Sequence, residues 1–476
     1  NGTCTSAPCA AAGCSRSGRT ADVIKMNQPP AIIVPEYALA VVERLESRGY
    51  EAYVVGGCVR DSLLGRQPND WDVCTNALPE DVLRVFRRFH VIKTGLQHGT
   101  VTVMSDKQPV EVTTFRIDGN YSDNRHPDAV SFVSRVEEDL ARRDFTINAM
   151  AYSPTRGLVD AFGGQEDLAA GLIRCVGEPD ARFNEDGLRI MRALRFAARF
   201  GFAIERETAA SVRRNRHLLE NVSAERIFKE LKGILIGAGV LDMLLAFPEV
   251  FSCIIPEMAP SIGFDQHTPY HCYDVWTHSA YAVAAAPADE ILRLTMLLHD
   301  VGKPSCFSMG DDGRGHFYGH PAAGEKLTKT ILQRLKSDNA TLSTVCTLVR
   351  VHDMTMPATV PGMRRLVGKL GVENVRRLLD VQRADHAAHS DYDHATGAAL
   401  IREAAELLED VLEMEPAFTV KDLAINGNTL MQLGMKPGPA MRQVLETLLA
   451  AVQEGELENT TDELIKKSEE LISAAN

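Results

Sequence analysis

The chain has 476 residues, 45% of them hydrophobic and 24% charged, and carries a formal net charge of −13. That length exceeds one ordinary core and predicts about two to four domains of a globular protein. The negative balance excludes a protein that coats nucleic acid indiscriminately, but leaves room for an RNA enzyme whose basic residues are concentrated locally.

The opening stretch is rich in Ala, Ser, Gly and Thr and lacks the apolar segment of a secretory signal. No apolar run reaches the roughly 20 residues that cross a bilayer, so no membrane partner is expected. Cys4, Cys9 and Cys14 lack the paired C-x-x-C spacing of a zinc site, and the remaining cysteines are scattered singly, as reduced thiols in a cytoplasm would be. The chain opens on Asn1 and a familiar start occurs at Met26. Residues 1–30 are read as a disordered segment, of which 1–26 could be upstream sequence wrongly joined to the protein.

From Tyr37 to about Gly164, short β-branched runs alternate with amphipathic helices, with strands expected at Ala52–Val55, Trp71–Cys74, Thr100–Met104 and Val110–Phe115. From about Asp180 the chain reads almost wholly helical. Pro256, Pro260 and Gly263 mark a boundary, Met309–Gly319 reads as a glycine-rich loop, and a further helical region follows Ala395. These shifts divide the chain into a head (31–165), a helical neck (166–255), a second helical domain (264–392) and a helical tail (393–476).

Within the head, an apolar strand runs into Gly56-Gly57 and then a helix carrying Arg60. Two glycines at a strand-to-helix turn let backbone N–H groups approach a phosphate, and Arg60 could add a bidentate contact. A plain tight turn would look the same. Asp70 and Asp72 flank Trp71, and residues i and i+2 of an extended chain face one side, so both carboxylates project together. Such a pair repels unless a cation sits between its members, although a solvated acidic turn is the bland alternative. Glu111, inside the β-branched run Val110–Phe115, completes a reasonable two-metal set for in-line attack on a nucleotide α-phosphate. Arg142-Arg143-Asp144 could hold a triphosphate and a ribose hydroxyl, or could be a surface salt-bridge cluster.

In the neck, Ile190, Leu194, Ala197 and Ala198 share one helical face, opposite Arg192, Arg195 and Arg199. With Arg213 and Arg214 these arginines would suit an RNA backbone, or simply a solvated face. Asp186 and Arg189, three residues apart, are either a local ion pair or a base reader. A carboxylate accepts and a guanidinium donates, which complements the amine-plus-ring-nitrogen edges of cytosine and adenine and rejects guanine and uracil.

The ordered set GGCVRD, DWD, VEVTTFR, RRDFTINAMA and EDGLRIMRALRFAARFGF resembles the class II tRNA nucleotidyltransferase and bacterial poly(A) polymerase family over roughly Tyr50 to Gly237. The resemblance implies an α+β protein: a polymerase-β-like head with a mixed sheet, followed by all-α neck, HD domain and tail. It implies Mg²⁺ at Asp70 and Asp72, triphosphate contacts near Gly56, Gly57 and Arg60, ribose and triphosphate contacts at Arg143 and Asp144, and base recognition at Asp186 and Arg189. Arg192 is added to the nucleotide-binding set, and Ile117–Ser134 resembles the loop that switches such enzymes from cytosine to adenine. Further on, HTPYHCYDVWTHS, LLHDVGK, FYGHP and VRVHD resemble an HD domain, and the segment from Ala424 to Leu471 resembles the family's C-terminal tail. His299 and Asp300, with His278, His320, His352 and Asp385, are the expected ligands of a divalent transition metal, and His386, His389 and His394 keep the last ligand open.

The function expected is therefore addition of C, C and A to tRNA from CTP and ATP in the cytoplasm, with a metal-dependent phosphohydrolase activity in the HD domain. Poly(A) addition and A-only addition are the nearest rivals. An HD phosphohydrolase with a nucleotide-binding head, or a silent RNA-binding scaffold, would need a damaged head motif, and both aspartates are intact.

Overall fold

The computed structural model describes residues 31–119, 130–390, 394–414 and 417–475. The expectations for residues 1–30 and for the middle of the Ile117–Ser134 loop lie outside them. Two compact units are present, one running to Arg189 and taking in Phe202–Ser211, the other comprising Ile190–Gly201 and the chain from Val212 onward. The boundary expected at residue 165 thus falls inside the first unit.

In the first unit, α1 (Glu36–Glu46) turns Ala38, Val41, Val42 and Leu45 inward at i, i+3, i+4, i+7 spacing. Then come β1 (Ala52–Val55), α2 (Gly57–Leu63), β2 (Asp72–Thr75), α3 (Pro79–Val85), β3 (Val91–Ile92), β4 (Thr100–Ser105), β5 (Gln108–Thr114), β6 (Arg116–Asp118), β7 (Val130–Phe132) and α4 (Val136–Ala141). They are followed by β8 (Ala151–Ser153), β9 (Gly157–Val159), α5 (Gly164–Ala170), β10 (Leu172–Ile173), α6 (Pro179–Glu185), α7 (Leu188–Phe200), β11 (Ala203–Ile204) and α8 (Arg206–Asn215), of which α7 from Ile190 and α8 from Val212 belong to the second unit. Seven strands form one sheet in the order β3-β4-β5-β2-β1-β8-β9. Its β2–β5 pair is parallel while its other pairs are antiparallel, so the sheet is mixed. All four residues of β1 are buried, as a central strand requires. Tyr53, Val55, Cys74, Phe115, Leu140 and Ala151 build the core that carries the site.

The expected strands are all present, Ala52–Val55 to the residue and the others within one or two positions. β6–β7 and β8–β9 were not anticipated, being three-residue strands too short for a periodic signal.

The second unit is helical: α9 (Ala224–Leu235), α10 (Val240–Ala246), α11 (Pro248–Ile254), α12 (Val275–Ala285), α13 (Glu290–Leu298), α14 (Lys303–Cys306), and, after a hairpin of β12 (Ser308–Met309) and β13 (Gly315–His316), α15 (His320–Arg334) and α16 (Asn339–Val351). α17 (Val360–Leu370), α18 (Val372–Ala387), α19 (His394–Glu413), α20 (Gly427–Gln432), α21 (Pro439–Glu454) and α22 (Thr461–Ala475) complete it. Aspartates start three of these helices: Asp274 accepts from Thr277 N, Asp289 from Ile291 N and Leu292 N, and Asp338 from Thr341 N. Met309–Gly319, expected as a loop, contains the β12–β13 hairpin. Asp312-Gly313, with Gly313 at φ +74°, supplies turn chemistry that the glycine content had disguised. Helix α13 is buried continuously from Leu292 to Leu298, including Arg293, whose guanidinium donates to Leu235 O (2.6 Å), Gly237 O (2.9 Å) and Ala286 O (3.2 Å). Among the described residues no helix is long and apolar enough to cross a membrane.

A candidate nucleotide site and a buried histidine–aspartate cluster

The parallel register Val73↔Val112 sets Asp72, at the start of β2, level with Glu111 on β5. Asp70 stands just before the strand, with Trp71 buried between the two aspartates. Burial, then the charges of Glu111 and Asp70, push the Asp72 carboxyl up to about 6, while Arg143 pulls the other way. A carboxylate this reluctant to ionise marks a place where negative charge is crowded and a cation would relieve it. The chemistry of the donor set, oxygen only, fits Mg²⁺.

A glycine turn and an arginine cluster lie close by. Gly56 follows β1 at φ +80°, and a Cβ built on it would stand 2.9 Å from Arg143 Nη1. The positive φ favours glycine, and a Cβ there would push the tip of the guanidinium aside. Arg143 is held from behind by Asp139, Nη2 to Oδ2 3.3 Å, and its Nε is buried without a hydrogen-bond partner. Asp139, fully buried, also accepts from Arg142 (2.8 and 3.0 Å) and from Arg116 N (3.3 Å) at the start of β6. Burial opposes ionisation of Asp139, yet Arg142 and Arg143 hold its carboxyl below the usual range.

Arg60 is 4% exposed, bonded through Nε to Asp61 (2.8 Å) and through Nη1 to Asn148 Oδ1 (2.5 Å). Asn148 in turn donates to Asp144 Oδ1 (3.0 Å), which also accepts from Phe145 N (2.9 Å). Arg60, expected as a bidentate phosphate contact, is thus braced by Asp61 and Asn148. Asn148 and Asp139 are the two site residues that sequence reasoning missed. Asp139 had a signal, since it lies three and four residues before the two arginines it holds.

Asp186 and Arg189 come together at the α6–α7 junction, but not as a mutual ion pair. Arg189 pairs with Glu185, four residues back, and donates to Arg182 O (3.1 Å) and Arg142 O (3.2 Å). Asp186 accepts from Leu188 N (3.0 Å). Of the arginines expected to meet RNA, Arg195 pairs with Glu230 and stacks on Phe196 (4.4 Å), and Arg213 pairs with Glu249 (3.1 Å) and stacks on Phe247 (4.6 Å). Arg192 lies 5.3 Å from the Phe196 ring and Arg199 5.3 Å from that of Phe200; Arg214, at the end of α8, accepts a contact from His217 at its carbonyl. Ile190, Leu194, Ala197 and Ala198 are all fully buried, as the helical stripe predicts.

The second unit gathers the six expected HD residues. His278 (α12), His299 and Asp300 (end of α13), His320 (start of α15) and His352 (end of α16) are buried, and Asp385 of α18 lies 2.8 Å from His278 Nε2 and 3.3 Å from His299 Nε2. Despite burial, Asp300 and Asp385 hold the His299 imidazole up at about 10, while His299 and Lys303 keep the Asp300 carboxyl well below its ordinary value. Burial and Lys303 push His271, beside the cluster, down to about 2. A cavity of about 540 Å³ adjoins, lined by Tyr270, Lys303, Arg314, Tyr318 and ligand candidates of the cluster.

A family profile for the poly A polymerase head domain matches residues 52–174, one described as "Probable RNA and SrmB- binding site of polymerase A" matches 201–246, and one for tRNA nucleotidyltransferase domain 2 matches 322–467. The CCA-adding enzyme of Limosilactobacillus reuteri is 33% identical over 454 residues, 94% of this chain and 99% of that one. The crystal structure of the Bacillus stearothermophilus CCA-adding enzyme in complex with CTP superposes with a TM-score of 0.71 at 29% identity, covering 93% of this chain and 99% of that one. A Thermotoga maritima CCA-adding enzyme complexed with tRNA shares the fold, with a TM-score of 0.55 at 20% identity over 92% of this chain and 95% of that one.

Proposed function

The chain belongs to the family of CCA-adding enzymes, and on that premise we propose that it adds C, C and A to tRNA 3′ ends from CTP and ATP, without a nucleic-acid template. One observation carries the reading: Arg143, its Nε buried and unpartnered, stands against the Gly56 turn and close enough to Asp72 to bias its ionisation. Anion-binding and cation-binding halves of a nucleotide triphosphate site therefore meet in one place.

Asp70, Asp72 and Glu111 are the residues that would hold Mg²⁺, which when bound favours the ionised 3′-hydroxyl of the RNA and screens the departing pyrophosphate. Gly56 and Gly57 present backbone to the triphosphate, Arg143 neutralises it, and Arg60 and Asp144, tied through Asn148, position triphosphate and ribose. Asp186 accepts from the exocyclic amine of cytosine or adenine and Arg189 donates to the adjacent ring nitrogen, so one pair serves both bases. Glu185 fixes the plane of the Arg189 guanidinium. Arg192, Arg195, Arg199, Arg213 and Arg214 offer positive charge to nucleotide and RNA backbone, Arg195 and Arg213 from within ion pairs that limit their reach. The seven described cysteines are free thiols, which suits a cytoplasmic location.

The test is incubation with tRNA lacking its terminal residues and each labelled nucleotide, followed by sequencing of the products. Terminal CCA is expected; long adenosine tails on any RNA would sink the reading. Asp70→Ala should abolish incorporation.

A second reading concerns the buried cluster. Its nitrogen-rich donor set fits a divalent transition metal, and Lys303 and Arg314 beside the cavity fit a phosphoester substrate. Release of phosphate from an RNA end that survives Asp70→Ala is the expected signature. Loss of both activities together would contradict two separate sites.

A further inference from the structure

We propose that the open face of the head sheet, from Glu111 outward to the β3 edge, is a track for the single-stranded 3′ end of the RNA, which lies over Thr102 and Ile92 with its phosphates toward Lys93. This rests on the reading of the head as the transfer site, and says where the nucleotides behind the reacting end lie.

Strand pairing sets one row of side chains across four strands. Asp72 is level with Glu111 in the parallel β2–β5 register, Glu111 pairs with Thr102 of β4, and Thr102 pairs with Ile92 of β3. Residues directly opposite in a ladder share a face, so Ile92, Thr102 and Glu111 stand on the side of the sheet that carries Asp72. Three strand spacings put Ile92 about 14 Å from Asp72, too far for the reacting nucleotide alone to cover.

Burial shows which face is open. Val101, Val103, Val110 and Val112, which alternate with the row, are at most 1% exposed. They lie on the face packed by α1 and α3, both of which contact β4 and β5. The opposite face holds Thr100, Thr102, Met104 and Thr113, all half-buried, with Glu111 exposed and Ile92 40% exposed. Thr100 and Thr113 satisfy one another at 2.9 Å, whereas the Thr102 hydroxyl has no hydrogen-bond partner among the described residues. A free hydroxyl there suits a phosphate oxygen or a ribose 2′-hydroxyl, and Ile92 offers an apolar rest to a sugar or base.

Charge favours RNA as the occupant. β3 is an edge of the sheet. Arg87, Arg88 and His90 lead into it, Lys93 leaves it, and Lys107 turns β4 into β5 beyond Met104, whose N–H donates to His90 O. All five side chains are exposed, and none is in an ion pair among the described residues. Asp106 is the one acid in these two segments, 86–93 and 105–108. In a chain of net charge −13 such an edge attracts phosphate and continues the transfer site outward.

The test uses the full chain and a tRNA ending in CC, with 4-thiouridine in place of the first of those two residues. Irradiation of the complex should cross-link that base to a peptide within 91–113, mapped by mass spectrometry. With unmodified tRNA ending in CC, Lys93→Gln should raise KM for the RNA about threefold to tenfold, with kcat and KM for ATP unchanged. It should also lower the slope of log KM against log salt by about 0.7, as loss of one phosphate contact on a single strand requires. Thr102→Val should raise KM for the RNA about threefold. A cross-link confined to residues outside 91–113 would overturn the track. So would a KM and salt slope untouched by Lys93→Gln, the result expected if the lysine only deters pairing with another sheet. Failure of the unaltered protein to extend this tRNA would overturn the transfer reading and the track with it.

Discussion

Replacing Asp72 by Asn should stabilise the metal-free protein while destroying its activity. Burial, Glu111 and Asp70 raise the Asp72 carboxyl from an ordinary 3.8 to about 6. Between those values the unfolded chain loses its proton while the folded head keeps it, so stability falls as pH rises through that window and is not regained above it. A gap of 6 − 3.8, about two units at about 1.4 kcal/mol each, makes the ionised carboxylate cost up to about 3 kcal/mol at neutral pH without a cation. Asp72 is partly exposed, and solvent screening brings the expected gain for the Asn variant to about 1–3 kcal/mol. The assay is urea denaturation in chelator, read by the fluorescence of Trp71, which adjoins the site, in a Trp276→Phe background. At about pH 7.5 the Asn variant should unfold at higher urea, and at about pH 5 the advantage should shrink to about half. Adding Mg²⁺ and CTP should stabilise the wild-type head and not the variant. An equal gain at both pH values, or a loss at pH 7.5, would refute crowding of charge as the reason.

Gly56→Ala should cost about 1–2 kcal/mol from its left-handed backbone and, by pushing Arg143 aside, raise KM for CTP and ATP alike, measured in single-nucleotide incorporation. Asp139→Asn should lower stability by about 3 kcal/mol, since two arginines lose a buried partner, with thermal melting as the check. Because Arg142 and Arg143 depress the Asp139 carboxyl, its contribution is present near neutrality and is lost as pH falls below about 4, so the two proteins should converge in acid. Asp186→Ala should relax discrimination against GTP and UTP as well as slow addition, visible when all four nucleotides compete; retained selectivity would remove Asp186 from base reading.

The parts of this protein that were legible in sequence are those governed by local rules. A fully apolar run before Gly56-Gly57 gave β1 to the residue, and the arginine-and-alanine pattern of 185–201 gave the buried face of α7. The alternation around Glu111 placed it on a strand, but only the parallel β2–β5 register brings it level with Asp72, and register is a long-range property. Partner choice was the least legible. Asp186 and Arg189 are spaced to pair, yet Glu185, one turn behind Arg189, takes the guanidinium. Arg60 reads as a phosphate contact in the sequence, where Asn148, one of its two partners, lies 88 positions away. The Asp300 histidines were found by residue type, whereas their gathering there depends on how four helices are set around one carboxylate.

The Arg293 guanidinium ties the carbonyls of Leu235 and Gly237, at and just beyond the end of α9, to α13, which leads into His299 and Asp300. Fraying α9 from its C-terminal end would break two carbonyl bonds to a buried cation, so neither helix can open alone at low cost. The two should therefore exchange their amide protons as one slow block. A lesion that loosens α9 would then be felt as disorder in the histidine pocket of the same unit.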